Sequence, residues 1–297
     1  MAPPVRKNGL RRSKLITPAD NWDLMEKAAR SEADIIHLEL EDGVVPERKE
    51  MARELCLKAM LEIDWGGKEI WVRINHFDSG LAERDVEVLT AGGPNLIQLA
   101  KAQGPEDMLR LDALVAAAER KHGMKPGSVT IGAVLERVRG LSRVEEIASA
   151  TPRMGAITFG VEDMANEYRY RQTREPGKGF ETMYARSRIV LAARVAGIDC
   201  LDSPYVRFQD LEASDIEARF TAQLGFDGKS AVSPKQVPGI NAAFTPSPKE
   251  IRWAEEVMEA VHRAEGEGTA VFAVDGMMVD APHIVQAERI LALAGKK

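Results

Sequence analysis

Short apolar runs alternate with helix-length amphipathic stretches along most of the chain, and this alternation constrains the fold more than any other feature. Strands that alternate with helices form βαβ units and predict a parallel sheet. Eight repeats favour closure into a barrel over an open sheet, so we predict an α/β (β/α)8 TIM barrel over residues 1–245. The eight apolar runs occupy residues 13–17, 35–42, 69–75, 95–100, 128–136, 155–160, 198–203 and 227–233.

The chain continues past the eighth run by more than closing the barrel requires. Ser247 is predicted to cap a helix whose Ile251, Ala254 and Met258 share one face, and a last helix is predicted to end at Ala294. We interpret residues 246–297 as a C-terminal helical extension. It is either a lid over the mouth of the barrel or an arm packed on a neighbouring subunit.

Charge and cysteine content exclude several classes of partner. The net charge of -6 argues against a nucleic-acid binder, and the sequence has no run of 18 apolar residues that would span a membrane. Cys56 and Cys200 lie in apolar surroundings, which predicts buried thiols in a reducing, cytoplasmic compartment. The basic stretch 1–14 is predicted to be a frayed arm or, alternatively, a contact to a phosphate-bearing ligand.

Alternation within the strands places ionisable side chains inside the predicted barrel. Successive residues of a strand face opposite sides, so the aliphatic residues of 69–75 face the helices while Arg73 and Asn75 point inward. The same rule turns His37, Glu39 and Glu41 inward. A buried charge without a partner is costly, so these groups must pair with each other or with a ligand.

Two carboxylates mark a candidate metal site. Glu136 closes the fifth strand and Asp163 lies just past the sixth. The ends of adjacent barrel strands converge on one mouth, where the chemistry of such barrels takes place. Mg²⁺ is typically held by one or two carboxylates together with water and substrate oxygens. Alternatively, Glu162 and Asp163 cap the N-terminus of the helix that follows.

Four further residues are candidates for catalysis, each with a structural alternative. Arg73 is expected to grip a carboxylate or oxyanion, unless it forms an internal salt bridge to Glu41. Glu41 and Asp42 are expected to support metal-bound water or Arg73, unless they only begin a loop. Asp280 is expected to act as a base, unless it is only the N-cap of the last helix.

Several stretches that span nearly the whole chain carry a family resemblance, among them LELEDGV, WVRIN, VLERVRG, FGVEDM and VDGMMVDAP. With them, the chain resembles the citrate lyase beta subunit-like branch of the HpcH/HpaI aldolase family, which includes malyl-CoA and citramalyl-CoA lyases. The resemblance implies homotrimers or homohexamers whose C-terminal segment reaches a neighbouring active site. It also implies Mg²⁺ on Glu136 and Asp163, an enolate-steadying Arg73 and an acid–base Asp280.

The function predicted from residues and resemblance together is a Mg²⁺-dependent carbon–carbon lyase. It would cleave or form a β-hydroxyacyl-CoA, such as malyl-CoA or citramalyl-CoA, by Claisen-type chemistry through an enolate. Three alternatives stay open: a class II aldolase acting on a free 2-oxo acid such as pyruvate, an acyl-CoA thioesterase, and a non-catalytic subunit. The expected partner is a small molecule, either an acyl-CoA or a 2-oxo acid.

Overall fold

The structure is a computed structural model, and it describes residues 10–173, 175–265, 272–274 and 276–295. The chain divides into two compact units, residues 1–241 and 242–297. Most of the predicted basic arm, residues 1–9, lies outside the described residues. No helix in the described part of the chain combines the length and apolarity needed to cross a membrane.

The first unit contains a closed barrel of parallel strands in which β1 pairs with both β2 and β8. This confirms the predicted (β/α)8 fold. The predicted runs match the strands to within a few residues, because most of the strands are short, rich in aliphatic residues and bounded by turn residues. The strands are β1 Ser13–Pro18, β2 Ile35–Glu39, β3 Glu69–Ile74, β4 Leu96–Leu99, β5 Thr130–Leu135, β6 Met154–Phe159, β7 Asp199–Asp202 and β8 Gly228–Ala231.

Helices connect the strands, and the connection between β5 and β6 differs from the prediction. One helix was expected there, but the chain forms two short ones, α5 and α6. Gly140 in α5 lies against the Ala102 carbonyl, where an added Cβ would come within 2.1 Å of the oxygen. The helices of this region are α1 Trp22–Ala29, α2 Lys49–Glu62, α3 Ala82–Leu89, α4 Pro105–Lys121, α5 Val138–Ser142, α6 Val144–Ala148, α7 Val161–Tyr168, α8 Met183–Ala196, α9 Leu211–Gln223 and α10 Val237–Ala243.

An ion-pair cluster lies at the N-terminal end of the barrel. Arg11 is 2.9 Å from Asp199 and 3.0 Å from Glu69, and all three side chains are buried. The prediction of a frayed arm through residue 14 is therefore wrong for its last residues, because Arg11 pairs with two buried carboxylates and Lys14 belongs to β1. Above the cluster, inward side chains form an apolar layer of Ile35, Trp71, Leu96, Ala156 and Leu201.

The second unit has its own small core. Helices α11 (Pro248–Glu265) and α12 (Ala281–Leu293) pack together with an antiparallel hairpin of β9 (Phe272–Val274) and β10 (Met277–Val279). Its buried residues are Ala254, Val257, Ala260, Val274, Val279 and Ala287. The helix predicted to follow Ser247 is therefore present, with Ala254 on its buried face.

Both cysteines occupy the interior of the first unit. Cys56 on α2 and Cys200 on β7 are buried free thiols, as predicted. Burial raises the pKa of each thiol well above its usual value, so both stay protonated at neutral pH. We therefore assign them to packing.

Candidate active site

A cavity of about 180 Å³ opens at the C-terminal ends of the barrel strands. Its wall includes Glu39, Asp42, Arg73, Glu136 and Asp163, together with residues of β1, β6 and β8. Strand alternation directs Glu39, Arg73 and Glu136 inward, which confirms the orientation predicted for them. Asp42 and Asp163 reach the cavity from the connections that follow β2 and β6. The charged residues that line this cavity are therefore mainly acids, together with Arg73 and Lys14.

Arg73 lies at the centre of this group. Its guanidinium pairs with Glu39 and lies 3.4 Å from Glu41 Oε2 and 3.7 Å from Glu136 Oε2. Burial alone would lower the pKa of Arg73, but the three glutamates outweigh it and raise the pKa above its usual value. Arg73 therefore stays charged, and the predicted salt bridge to Glu41 exists beside contacts that orient the guanidinium in the cavity.

Glu136 is held in a tight pocket. Its side chain is 2% exposed, and Oε1 accepts a 2.9 Å hydrogen bond from the backbone N–H of Lys101. Lys101 has φ of 53°, a left-handed conformation that a non-glycine residue rarely adopts. At Gly160, an added Cβ would lie 2.5 Å from the Glu136 Cβ, so this position requires glycine. Backbone geometry on two loops thus fixes one carboxylate.

The electrostatics of Glu136 link it to Asp163. Burial, together with the nearby charges of Asp163 and Glu41, raises the pKa of Glu136 to about 7, and Arg73 opposes this rise. Asp163 lies in the first turn of α7, where the N-cap residue Gly160 has no capping side chain. The structure therefore brings Glu136 and Asp163 to the same cavity, and Asp163 also lies at the helix N-terminus that the alternative interpretation named.

The donor set of this cavity fits a hard divalent cation. Among the described residues, no cluster of three or more His, Cys, Asp or Glu side chains could enclose a metal ion. Two carboxylates with free space beside them are instead the arrangement that suits Mg²⁺, which keeps several water or substrate oxygens as ligands. Glu136 and Asp163 are the residues that could hold it.

Glu41 and Asp42 are tied together by Lys101. The Lys101 Nζ donates to Glu41 Oε1 at 2.5 Å and to Asp42 Oδ2 at 2.9 Å. Burial raises the pKa of Glu41 despite Arg73 and Lys101. Burial also acts to raise the pKa of Asp42, but the Lys101 hydrogen bond lowers it overall. The pair is thus an anchored acidic edge of the cavity, and its catalytic role stays a prediction.

Asp280 belongs to the second unit, where it is the N-cap of α12. Its Oδ1 lies 2.6 Å from His283 Nδ1. The structural alternative for Asp280, a role as the N-cap of the last helix, is therefore present. A role as a base stays a prediction.

Sequence reasoning assigned no role to Lys14 or Glu39, two charged residues that line the cavity. Lys14 is 1% exposed, and its Nζ lies 3.2 Å from Thr158 Oγ1 and 3.4 Å from Gln98 Oε1. Burial, together with the charge of Arg73, lowers the pKa of Lys14 to about 7, although Glu39 and Glu136 oppose the shift. The alternation that places Arg73 inward also places Lys14 inward, so the side-chain alternation of β1 could have identified Lys14 as a residue of the barrel interior. Glu39 was expected to face inward but was not recognised as the main partner of Arg73.

We expect the substitution Lys14→Met to stabilise the ligand-free protein by on the order of 3 kcal/mol near pH 6. The folded pKa of about 7 lies below the ordinary 10.5, so the cost of the charged lysine is complete below pH 7. It fades as the pH rises toward 10.5. Urea unfolding of both proteins at pH 6 and pH ~9 measures the difference, which should shrink at the higher pH. A constant difference would contradict the assignment.

The barrel and its mouth define a (β/α)8 enzyme whose site is built on strand-end carboxylates. The sequence profile of the family described as HpcH/HpaI aldolase/citrate lyase matches residues 12–234. The chain belongs to this family. The predicted family, and with it the predicted class of carbon–carbon lyases, is therefore confirmed.

Individual relatives cover almost the whole chain. The L-malyl-CoA/beta-methylmalyl-CoA lyase of Cereibacter sphaeroides is 37% identical over 98% of this chain and 96% of its own. The citrate lyase subunit beta of Leuconostoc mesenteroides is 34% identical over 96% of this chain and 93% of its own. The crystal structure of CitE from Mycobacterium tuberculosis in complex with magnesium, acetoacetate and coenzyme A superposes with a TM-score of 0.77. It is 30% identical and covers 97% of this chain and 99% of its own.

Proposed function

We propose that this chain is a Mg²⁺-dependent carbon–carbon lyase that cleaves or forms a β-hydroxyacyl-CoA of the malyl-CoA or citramalyl-CoA type. The observation that supports it most is the meeting of Glu136, Asp163 and Arg73 in one cavity at the barrel mouth. The relatives that share the sequence and fold are lyases of acyl-CoA or citrate by name. We further propose a cytoplasmic homotrimer or homohexamer.

Glu136 and Asp163 are proposed to hold the metal. Bound Mg²⁺ supplies a Lewis acid that polarises the carbonyl of the oxo-acid half and orients it. The contribution of the protein is a fixed carboxylate geometry. The Lys101 N–H holds Glu136 in place, and Glu136 is almost fully buried. This geometry favours a cation that completes its coordination with oxygens of the substrate.

Arg73 is proposed to stabilise the negative charge that develops on the enolate oxygen of the thioester half. Its ion pair with Glu39 fixes the side chain before substrate arrives, so little reorganisation is needed during the reaction. Glu41 contacts both Arg73 and Lys101 and therefore supports the same orientation. A guanidinium held in this way also offers donors to the carboxylate of the oxo acid.

The assay that tests the proposal is release of acetyl-CoA from malyl-CoA or citramalyl-CoA, with and without EDTA. We expect turnover that EDTA abolishes and that added Mg²⁺ restores. Turnover that EDTA leaves unchanged would contradict the metal-dependent mechanism. Release of free malate and CoA would instead identify a thioesterase. Proton exchange at pyruvate, without any thioester activity, would identify an aldolase of free oxo acids.

Asp280 is proposed to move the proton at the carbon α to the thioester in the condensation direction. We expect Asp280→Asn to lower the condensation rate at least ~100-fold, because general acid–base catalysis typically contributes about 10²- to 10⁴-fold. Asparagine is as good an N-cap as aspartate, so the melting temperature should hardly change. Unchanged condensation would remove Asp280 from the mechanism.

Complementation between copies provides a second test of Asp280. If the C-terminal segment serves a neighbouring barrel, co-expressed Arg73→Lys and Asp280→Asn chains should assemble some sites with both native residues. Activity should then exceed that of either variant alone. Each variant assembled by itself is the control. A mixture no more active than the variants would contradict a site shared between copies.

A further inference from the structure

The floor of the mouth cavity carries polar groups that the proposed mechanism does not use. Lys14 of β1, His37 of β2 and Ser230 of β8 line the cavity. All three are at most 1% exposed. Lys14 and Ser230 are register partners on neighbouring strands, and they lie deeper in the barrel than Glu136, which follows the last residue of β5. These three residues are called the floor cluster below.

The floor cluster lacks protein partners to an unusual degree. Both ring nitrogens of His37 and the hydroxyl of Ser230 are buried without a hydrogen-bond partner among the described residues. An unpaired buried polar group costs free energy, so a partner that is bound at the cavity would stabilise it. Two residues on different strands share this condition at the same cavity, and both line it. The cluster therefore has the character of a binding site for a polar group.

Lys14 gives the floor cluster its charge. Its Nζ lies 5.7 Å from the centroid of the Trp71 ring, and its hydrogen-bond contacts with Gln98 and Thr158 are neutral and long, at 3.4 and 3.2 Å. Glu39 and Glu136 act on it only as more distant charges. A lysine in this setting gains most from an anion that reaches its ammonium group. The ligand group that fits the floor is consequently negative.

His37 adds a neutral donor. Burial, with the positive charges of Lys14 and Arg73, lowers the pKa of His37 well below its usual value. The ring is therefore neutral at physiological pH and carries one N–H donor and one acceptor nitrogen. Together with the hydroxyl of Ser230 and the ammonium of Lys14, it offers donors of three kinds to an anionic oxygen pair.

We propose that Lys14, His37 and Ser230 form a second anion subsite that receives the distal carboxylate of a dicarboxylic 2-oxo acid. This inference rests on the proposed function, because it assumes that the 2-oxo-acid end of the ligand lies at Glu136, Asp163 and Arg73. It extends that function to β-hydroxyacyl-CoA substrates whose oxo-acid half carries one carboxylate more than the glyoxylate or pyruvate released from malyl-CoA or citramalyl-CoA. The floor cluster then selects the oxo-acid half by its far end. A monocarboxylic acid of the same length leaves the same donors unpaired, and a binding site discriminates strongly against a ligand that does so.

Calorimetric titration with matched ligand pairs tests the subsite. The probes are 2-oxoglutarate against 2-oxovalerate, which has the same chain length but no distal carboxylate, each with saturating Mg²⁺ at pH ~6.5, where Lys14 is largely protonated. Oxaloacetate against 2-oxobutyrate is the shorter pair. For at least one pair we expect the dicarboxylate to bind at least ~10-fold more tightly, the gain typical of one charge-assisted contact.

Variants assign that preference to the floor cluster. Lys14→Met removes the ammonium group but keeps an unbranched side chain of similar length. It should abolish the preference while leaving pyruvate affinity within ~2-fold, and Ser230→Ala should reduce the preference by a smaller factor. Lys58→Met, which removes an exposed lysine of α2, is the matched control and should keep the full preference.

The inference can be overturned in two ways, either alone or together with the proposed function. Equal affinity within both pairs, or a preference that survives in Lys14→Met, removes the subsite and leaves the proposed function intact provided that pyruvate still binds in a Mg²⁺-dependent manner. If the wild-type protein shows no Mg²⁺-dependent binding of any oxo acid, the proposed function and the subsite are overturned together. Because affinity is the readout, neither result depends on turnover.

Discussion

The substitution Glu136→Gln is expected to lower kcat for thioester cleavage by on the order of a thousandfold, with Mg²⁺ at the concentration that saturates the wild type. Glutamine keeps an oxygen that can accept the Lys101 N–H, so the side chain retains its anchor. What it loses is the negative charge that would bind the cation. We expect the apparent affinity for Mg²⁺ to fall together with kcat, and metal-dependent kinetics measure both.

Glu119→Gln is the matched control for this experiment. Glu119 is also a buried glutamate, but it accepts backbone hydrogen bonds from Gly127 and Val129 before β5, at the opposite end of the strand from Glu136. Its loss should lower the melting temperature and leave kcat within ~2-fold, because the N-terminal face of such barrels serves stability. If Glu136→Gln retained more than ~10% of wild-type kcat, the charge of Glu136 would not be needed for the reaction.

The substitution Arg73→Lys is expected to lower kcat by ~100- to 1000-fold, the loss that follows removal of one preorganised donor to a developing oxyanion. Lysine keeps the charge but cannot contact Glu39, Glu41 and Glu136 through a planar fork of donors. The affinity for the intact thioester should change less than kcat, because the interaction strengthens only as charge develops. Steady-state kinetics separate the two effects.

Arg153→Lys is the corresponding control. Arg153 is a half-buried, ion-paired arginine that contacts Asp112 and Glu119 just before β6. Arg153→Lys should lower the melting temperature and leave kcat unchanged. An Arg73→Lys enzyme that kept wild-type kcat but raised KM would place Arg73 in substrate binding alone, and the role in charge stabilisation would be withdrawn.

The fold was predictable because its signal is repeated along the chain. Most strands are short runs rich in aliphatic residues, and helix-length stretches separate them, so one misjudged boundary does not change the topology. The connection between β5 and β6 was less predictable. The close approach of Gly140 to Ala102 depends on a neighbouring strand connection, which is a tertiary contact that local pattern does not contain.

The site was predictable to the extent that strand alternation fixes direction. Arg73 and Glu136 were placed in the mouth by parity and strand-end position alone. The rule does not reveal how the side chains are held. The left-handed backbone of Lys101 and the required glycine at position 160 depend on the contacts of Glu136 in three dimensions. Lys14 illustrates a different limit, because a lysine in a strand is usually taken for a surface residue.

The central claim is that Glu136 and Asp163 together hold a divalent cation at the barrel mouth. Anomalous diffraction from crystals grown with Mn²⁺ in place of Mg²⁺ and soaked with pyruvate tests it most directly. We predict one strong peak within coordination distance, about 2.2 Å, of a carboxylate oxygen from each of the two residues. A peak elsewhere, or none at this cavity while the oxo acid is bound, would contradict the account.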